Sequence, residues 1–129
     1  MNDPPPPVEL EVPARPEYVR LVRLVVGALA ASRRDLDDER VADLRLAVNE
    51  ACTLAVAEAP DGRLHVACAE EPDAFIVDVF DGPDEEDEDD DGLAFALIRA
   101  LVDEVATVHE DGATRLRLRM RSAPASGWG

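Results

Sequence analysis

The run Leu44-Arg45-Leu46-Ala47-Val48-Asn49-Glu50-Ala51-Cys52-Thr53-Leu54-Ala55-Val56 constrains the fold more than any other part of the chain. Apolar residues return every three or four positions, the period of one buried helix face, and Val41, Leu44, Val48, Ala51, Ala55 and Ala59 share it. Asp37 is a start signal and Pro60 a stop, so the spacing predicts a helix from Asp37 to about Ala59. On a background of small apolar side chains it carries one carboxylate in its middle, Glu50.

The flanking segments supply a sheet for this helix. Val8 to Val12 alternates as a half-buried strand, and a second helix is expected from about Glu17 to Arg34. Arg63 to Ala69 and Phe75 to Phe80 read as strands separated by a turn at Pro72. Gly92 to Asp103 reads as a helix with Leu93, Ala96, Leu97, Ala100 and Leu101 inward. Val105 to His109 and Thr114 to Arg121 are strands joined by an Asp111-Gly112 hairpin turn. Strand, two helices, two strands, helix and two strands give an α/β two-layer sandwich, expected as a mixed sheet with three helices on one face. Residues 1–7, with four consecutive prolines, are expected as a flexible or polyproline arm, 8–121 as the folded domain, and 122–129 as a loose tail with Trp128 exposed.

Charge narrows the partners. The net charge is −16, half of it in the uninterrupted run Asp84 to Asp91, so a nucleic-acid surface is not expected. Leu21 to Ala31 is the longest apolar stretch; it is too short to span a bilayer and contains Arg23. With no signal peptide visible at the N-terminus, a cytoplasmic protein is expected. Cys52 and Cys68 fall on inward faces and read as small, reduced core residues. His65 and His109 lie far apart and no Cys-x-x-Cys pair occurs, so no metal centre is written.

The helix around Glu50 resembles the N-box helix of the GHKL (Bergerat-fold, histidine-kinase-like) ATPases, in the version found in anti-sigma-factor serine kinases. There the pattern runs Leu-Ala-Val-x-Glu-Ala-Cys/Leu-Thr-Asn-Ala-Val. The resemblance extends from about Val8 to Arg121 and is sharpest here and in Gly92 to Val105. It implies that Glu50 is the catalytic base and that the residue four positions later holds the nucleotide's Mg²⁺. That residue is Leu54, which offers no oxygen to a metal that wants oxygen ligands. Taken alone, Glu50 also reads as a partly buried structural carboxylate, and the missing amide favours that reading.

The resemblance implies three further nucleotide contacts, each degenerate. Asp81 matches the adenine-binding Asp, but Gly82 comes one position early and Pro83 removes a backbone donor. A phosphate-binding Gly-x-Gly at the helix start has become Gly92-Leu93-Ala94, so Ala94 replaces a glycine. Thr114 matches a phosphate-contacting Thr. The lid, 82–91, is almost wholly acidic. Acid–phosphate repulsion summed over that run costs on the order of a few kcal/mol, roughly a hundredfold in affinity, if the lid reaches the site. Otherwise it is a solvated loop.

A partner surface is expected on the first helix, where Arg20, Arg23, Gly27, Ala31 and Arg34 share a face beside a wide apolar stripe. The resemblance places at Arg20 an Arg that contacts both a sigma factor and its antagonist, with Arg23 one turn further on. A second basic comb, Arg115, Arg117, Arg119 and Arg121, faces solvent or a dimer partner. The implied function is that of an anti-sigma factor of the actinobacterial branch. It sequesters an alternative sigma factor, is relieved by a STAS-type anti-anti-sigma protein, and is homodimeric. No cofactor is expected on that reading. The alternative is an active kinase that uses ATP and Mg²⁺ to phosphorylate its antagonist.

Overall fold

A computed structural model describes residues 7–59, 62–81 and 88–122, with backbone alone at 88–91. The expected arm, apart from Pro7, the first part of the lid and most of the tail lie outside these residues.

Strand β1 (Val8–Pro13) turns Leu10 and Val12 toward the helices and pairs antiparallel with β2 (Arg63–Glu71), Leu10 opposite Val66. Helix α1 (Pro16–Ala31) starts on Pro16, whose fixed φ suits a first turn, and ends at Ser32, whose hydroxyl donates to the Leu29 carbonyl at 2.6 Å. It stops short of the expected Arg34 because Arg33 has another task. The Arg33 guanidinium grips Asp35 through two bonds, 2.6 and 2.8 Å, and donates to the carbonyls of Glu71 and Ala74 at 2.8 and 2.9 Å. The connection between the helices is thereby pinned to the turn of the next hairpin. The same bidentate contact lowers the Asp35 carboxyl below the usual aspartate range.

Helix α2 (Asp38–Glu58) is capped as expected: Asp37 accepts from the Arg40 backbone N–H at 2.8 Å. It buries Val41, Leu44, Ala47, Val48, Ala51, Cys52 and Ala55 and packs on both α1 and α3 (Glu88–Leu101). Ala59, expected inward, is exposed at the frayed end. Cys52 and Cys68 are free and buried, and burial pushes both thiols up to about 12, so they behave as core residues.

The remaining strands are β3 (Ala74–Phe80), β4 (Glu104–Glu110) and β5 (Ala113–Arg121), in the order β1-β2-β3-β5-β4. The two-layer sandwich is as expected, but every neighbouring pair is antiparallel, so the sheet is not mixed. The hairpin explains why. Asp111 and Gly112 take φ of 53° and 76°, the left-handed pair of a tight turn, which folds β5 back against β4. The crossover through α3 leaves one position open beside β3, and β5 fills it antiparallel to both neighbours.

Helix α3 buries a different face from the one expected. Phe95, Ile98 and Val102 are interior, whereas Leu93 is 88% exposed, Leu97 39% exposed, and Ala96 and Ala100 lie at the surface. The segment is apolar nearly all round, so periodicity alone admits both faces; the bulkier Phe–Ile–Val set took the core because it removes more area from water. The helix also begins at Glu88, inside the expected acidic lid, leaving Gly92 in its second turn.

Candidate functional site

Helix α2 is the element on which every proposed function turns, and its two flanks differ. Asp43 lines a groove with Ala100 and Leu101 of α3, and Glu50 and Leu54 lie seven and eleven positions on, along that same flank. Arg45 and Asn49 occupy the opposite flank, against α1.

On the α3 flank, Glu50 is half-buried and has no hydrogen-bond or ion-pair partner among the described residues. The carboxylate is thus partly buried, as one of the two expectations had it, and has no hydrogen bond among the described residues. Leu54 is partly buried and packs against the core, so the family's metal-holding position presents hydrocarbon. Asn49 is no substitute. Its side-chain oxygen accepts from Arg23 Nη1 at 3.3 Å, and its carbonyl accepts the Thr53 hydroxyl at 2.7 Å.

At the end of β3, Asp81 takes φ of 52° and its N–H donates to the Thr114 carbonyl at 2.7 Å. The structure thus joins two of the expected nucleotide positions through the backbone. Asp81 itself is exposed, and the Thr114 hydroxyl sits 3.2 Å from the His109 ring. Gly82 lies outside the described residues. Gly92 is exposed, with open space where a side chain would grow, and its N–H lies within α3 rather than at the helix start. The first turn of α3 is made instead by Glu88, Asp89, Asp90 and Asp91, whose amides have no partner within the helix. Acidic residues in a first turn favour the helix through its dipole, so the end where the family meets phosphate is composed of residues of the same sign as phosphate. Ala94 lies further in, half-buried.

The outer face of the sheet carries a network that sequence reading missed. Asp78 stands in the middle of an apolar strand and is only 6% exposed. Arg117 grips it through two bonds of 2.8 and 3.0 Å, and Arg115 lies 3.5 Å away. Arg119 reaches Glu71 at 2.9 Å, and Arg121 pairs with Glu104. Phe80 is sandwiched between the stacked His65 ring, at 4.1 Å, and the Arg115 guanidinium, at 4.7 Å. The basic comb is therefore neutralised within its own sheet. A lone Asp between Val77 and Val79, opposite an alternating Arg strand, was the available signal.

On the α1 flank the arginines are unneutralised. Arg20 is exposed, Arg23 half-buried, and neither forms an ion pair among the described residues. Arg45 lies across Gly27, where a Cβ would come 2.6 Å from its Cδ. The Nε atoms of Arg23 and Arg45 are both buried without a partner, as are those of Arg115 and Arg119 on the sheet.

Comparison with known proteins matches this arrangement. Residues 12–121 fit the histidine kinase-like ATPase domain. The anti-sigma-F factor RsbW of Mycobacterium tuberculosis is 39% identical over 105 residues, covering 80% of this chain and 62% of that protein. The serine-protein kinase RsbW of Bacillus subtilis is 34% identical over 130 residues, covering 83% of this chain and 81% of that protein. A crystal structure of RsbU and RsbW domains from a Mycobacterium tuberculosis protein superposes with a TM-score of 0.69 at 26% identity, over 94% of this chain and 34% of that one. With the motif helix, the sandwich and these matches in agreement, the chain belongs to the histidine kinase-like ATPase domain family and is a relative of the RsbW proteins.

Proposed function

We propose that this protein is an anti-sigma factor: it holds an alternative sigma factor through the α1 face and is relieved by a STAS-type anti-anti-sigma protein, with nucleotide binding weak or lost. The observation that carries this reading is the contrast between the flanks of α2. On the α3 flank, Leu54 packs hydrocarbon against the core where the resemblance implies a metal ligand. On the α1 flank, guanidiniums stand without ion pairs among the described residues of a strongly acidic molecule, ready for a partner's carboxylates. Arg20 and Arg23 are assigned to that contact; Asp81, Gly82, Gly92, Ala94 and Thr114 are assigned to a degenerate nucleotide site. The domain is taken as 8–121, working in the cytoplasm as a homodimer without direct contact to nucleic acid. No described helix is long and apolar enough to cross a membrane.

The test joins two measurements. Co-expression with alternative sigma factors should give a stable complex that withholds the sigma factor from RNA polymerase in transcription assays. Titration calorimetry with ATP and Mg²⁺ should give no heat of binding at millimolar nucleotide.

A kinase reading has one observation in its favour. Glu50 is half-buried and unengaged, as a base awaiting a hydroxyl would be. Micromolar ATP affinity together with phosphate transfer to a STAS-type substrate, abolished by Glu50→Ala, would establish it over the sequestering reading.

A further inference from the structure

From the contact between Arg45 and Gly27 we infer that the groove between α1 and α2 is a docking site for an acidic, leucine-bearing helical segment of a partner protein, with Arg45 as its specificity-determining residue. The inference rests on the reading of α1 as the partner surface and extends it onto α2.

The groove encloses about 420 Å³ and is lined by Leu24, Gly27, Val41, Ala42 and Arg45, with Asp38 at one end. Its apolar rim is already in water: Leu24 is 53% exposed and Leu21, one turn earlier, 46%. Exposed leucines beside a concave strip of small residues fit an inserted aliphatic side chain. A partner's helix anchors in such a groove through residues spaced three or four apart.

Charge selects the partner's sign. Most of the described arginines elsewhere are spent on carboxylates of this chain: Arg33 on Asp35, Arg40 on Asp103, Arg63 on Glu11, Arg117 on Asp78, Arg119 on Glu71. Arg45, in this groove, and Arg20 and Arg23, on the preceding turns of α1, form no ion pair among the described residues. In a chain of net charge −16, carboxylates to pair them were plentiful, so the absence is local. Arg45 is also held in place. The absent side chain at Gly27 lets its stem lie flat across α1, and its buried Nε has no acceptor. A carboxylate entering the groove would pair with the charge of the guanidinium, a bond stronger than one to a neutral group.

The test uses the full chain and a fluorescein-labelled helical peptide with leucines at i and i+4 and glutamates one turn to either side, read by anisotropy. Binding is expected despite the chain's overall negative charge. Weakening by about tenfold or more is expected for Arg45→Ala and for Gly27→Ala, which displaces the guanidinium without removing it. Leu24→Glu, at an exposed position that tolerates charge, keeps the test decisive if either variant fails to fold, and should abolish binding. A matched peptide with lysine for glutamate should not bind. Absence of binding to the unaltered chain, equal binding by the folded variants, or equal binding of the lysine peptide overturns the inference. Capture of a sigma factor unaffected by these substitutions would sink the groove and leave the anti-sigma reading standing. Groove-dependent peptide binding with no sigma factor captured would do the reverse.

Discussion

Two sets of arginines on this molecule have opposite fates. Those of β5 point away from the helices and meet carboxylates of the same sheet: Arg117 closes on Asp78 and Arg119 on Glu71. Those around α1 and α2, Arg20, Arg23 and Arg45, have no such partners among the described residues. The residue type is the same and the chain supplies acids in excess, so the difference lies in what each surface is left to do. The β5 set holds a sheet face together where no further layer of the described residues covers it. The helix set keeps its charge available. An arginine-rich stripe is thus informative only once its carboxylates have been located.

The contrast can be broken most sharply from the helix side. Arg20→Glu combined with Arg23→Glu is expected to weaken capture of a sigma factor by about a hundredfold, because attraction becomes like-charge repulsion, while the folding free energy falls by only about 1 kcal/mol with the loss of the Arg23–Asn49 hydrogen bond. Surface plasmon resonance with the co-purified partner reads the first and urea unfolding the second. Equal affinity would remove the distinction between the sets.

On the sheet side the expected loss is one of stability. Arg117→Ala should cost about 2 kcal/mol in urea unfolding by leaving the Asp78 carboxylate buried and poorly paired. The loss falls below that of a fully orphaned charge because Arg115 remains 3.5 Å from Asp78. Partner affinity of the folded fraction should not change.

Leu54→Asn probes the α3 flank, where a smaller effect is expected. Loss of a half-buried leucine should cost about 1 kcal/mol, and calorimetry should still find no ATP binding. Combining it with a Gly/Ser replacement of Asp84 to Asp91 should yield measurable Mg²⁺-dependent binding. If it does not, erosion of the metal position and the acidic lid is an incomplete account of the loss.

The smallest effect is acid-dependent. Because Arg33 lowers the Asp35 carboxyl, that group contributes stability above the ordinary aspartate value, and the contribution is lost as pH falls through its lowered folded value. Asp35→Asn should therefore be less stable than the parent at neutral pH, with the difference closing in acid. Thermal melts across that range measure it.

Much of the fold was legible because several local signals agreed. The α2 helix had a cap at Asp37, a stop at Pro60 and a single apolar face, and the Asp111-Gly112 turn fixed the last hairpin. The α3 face was not legible, since Leu93 and Phe95 are equally apolar and only packing chooses between them. Nor was strand direction, which depends on where β5 docks rather than on its own pattern. At the candidate site the change from amide to Leu54 was readable residue by residue. The commitment of Asn49 to Arg23, and of Arg45 to the space above Gly27, joins residues distant in sequence, and no local pattern encodes it.

The placement of β5 between β3 and β4 carries a consequence for biogenesis. An interior place in the sheet is filled by β5, the last of the five strands in chain order, and its Leu116, Leu118 and Met120 complete the interior beneath α2. A nascent chain that has emerged only as far as β4 has β2 to pair with β3 but lacks the second ladder of β3, the pairing of β4 and much of the floor of its core, so it cannot close cooperatively while translation is upstream of Arg121. A product truncated before β5 therefore lacks the folded frame on which α1 and α2 present their exposed face.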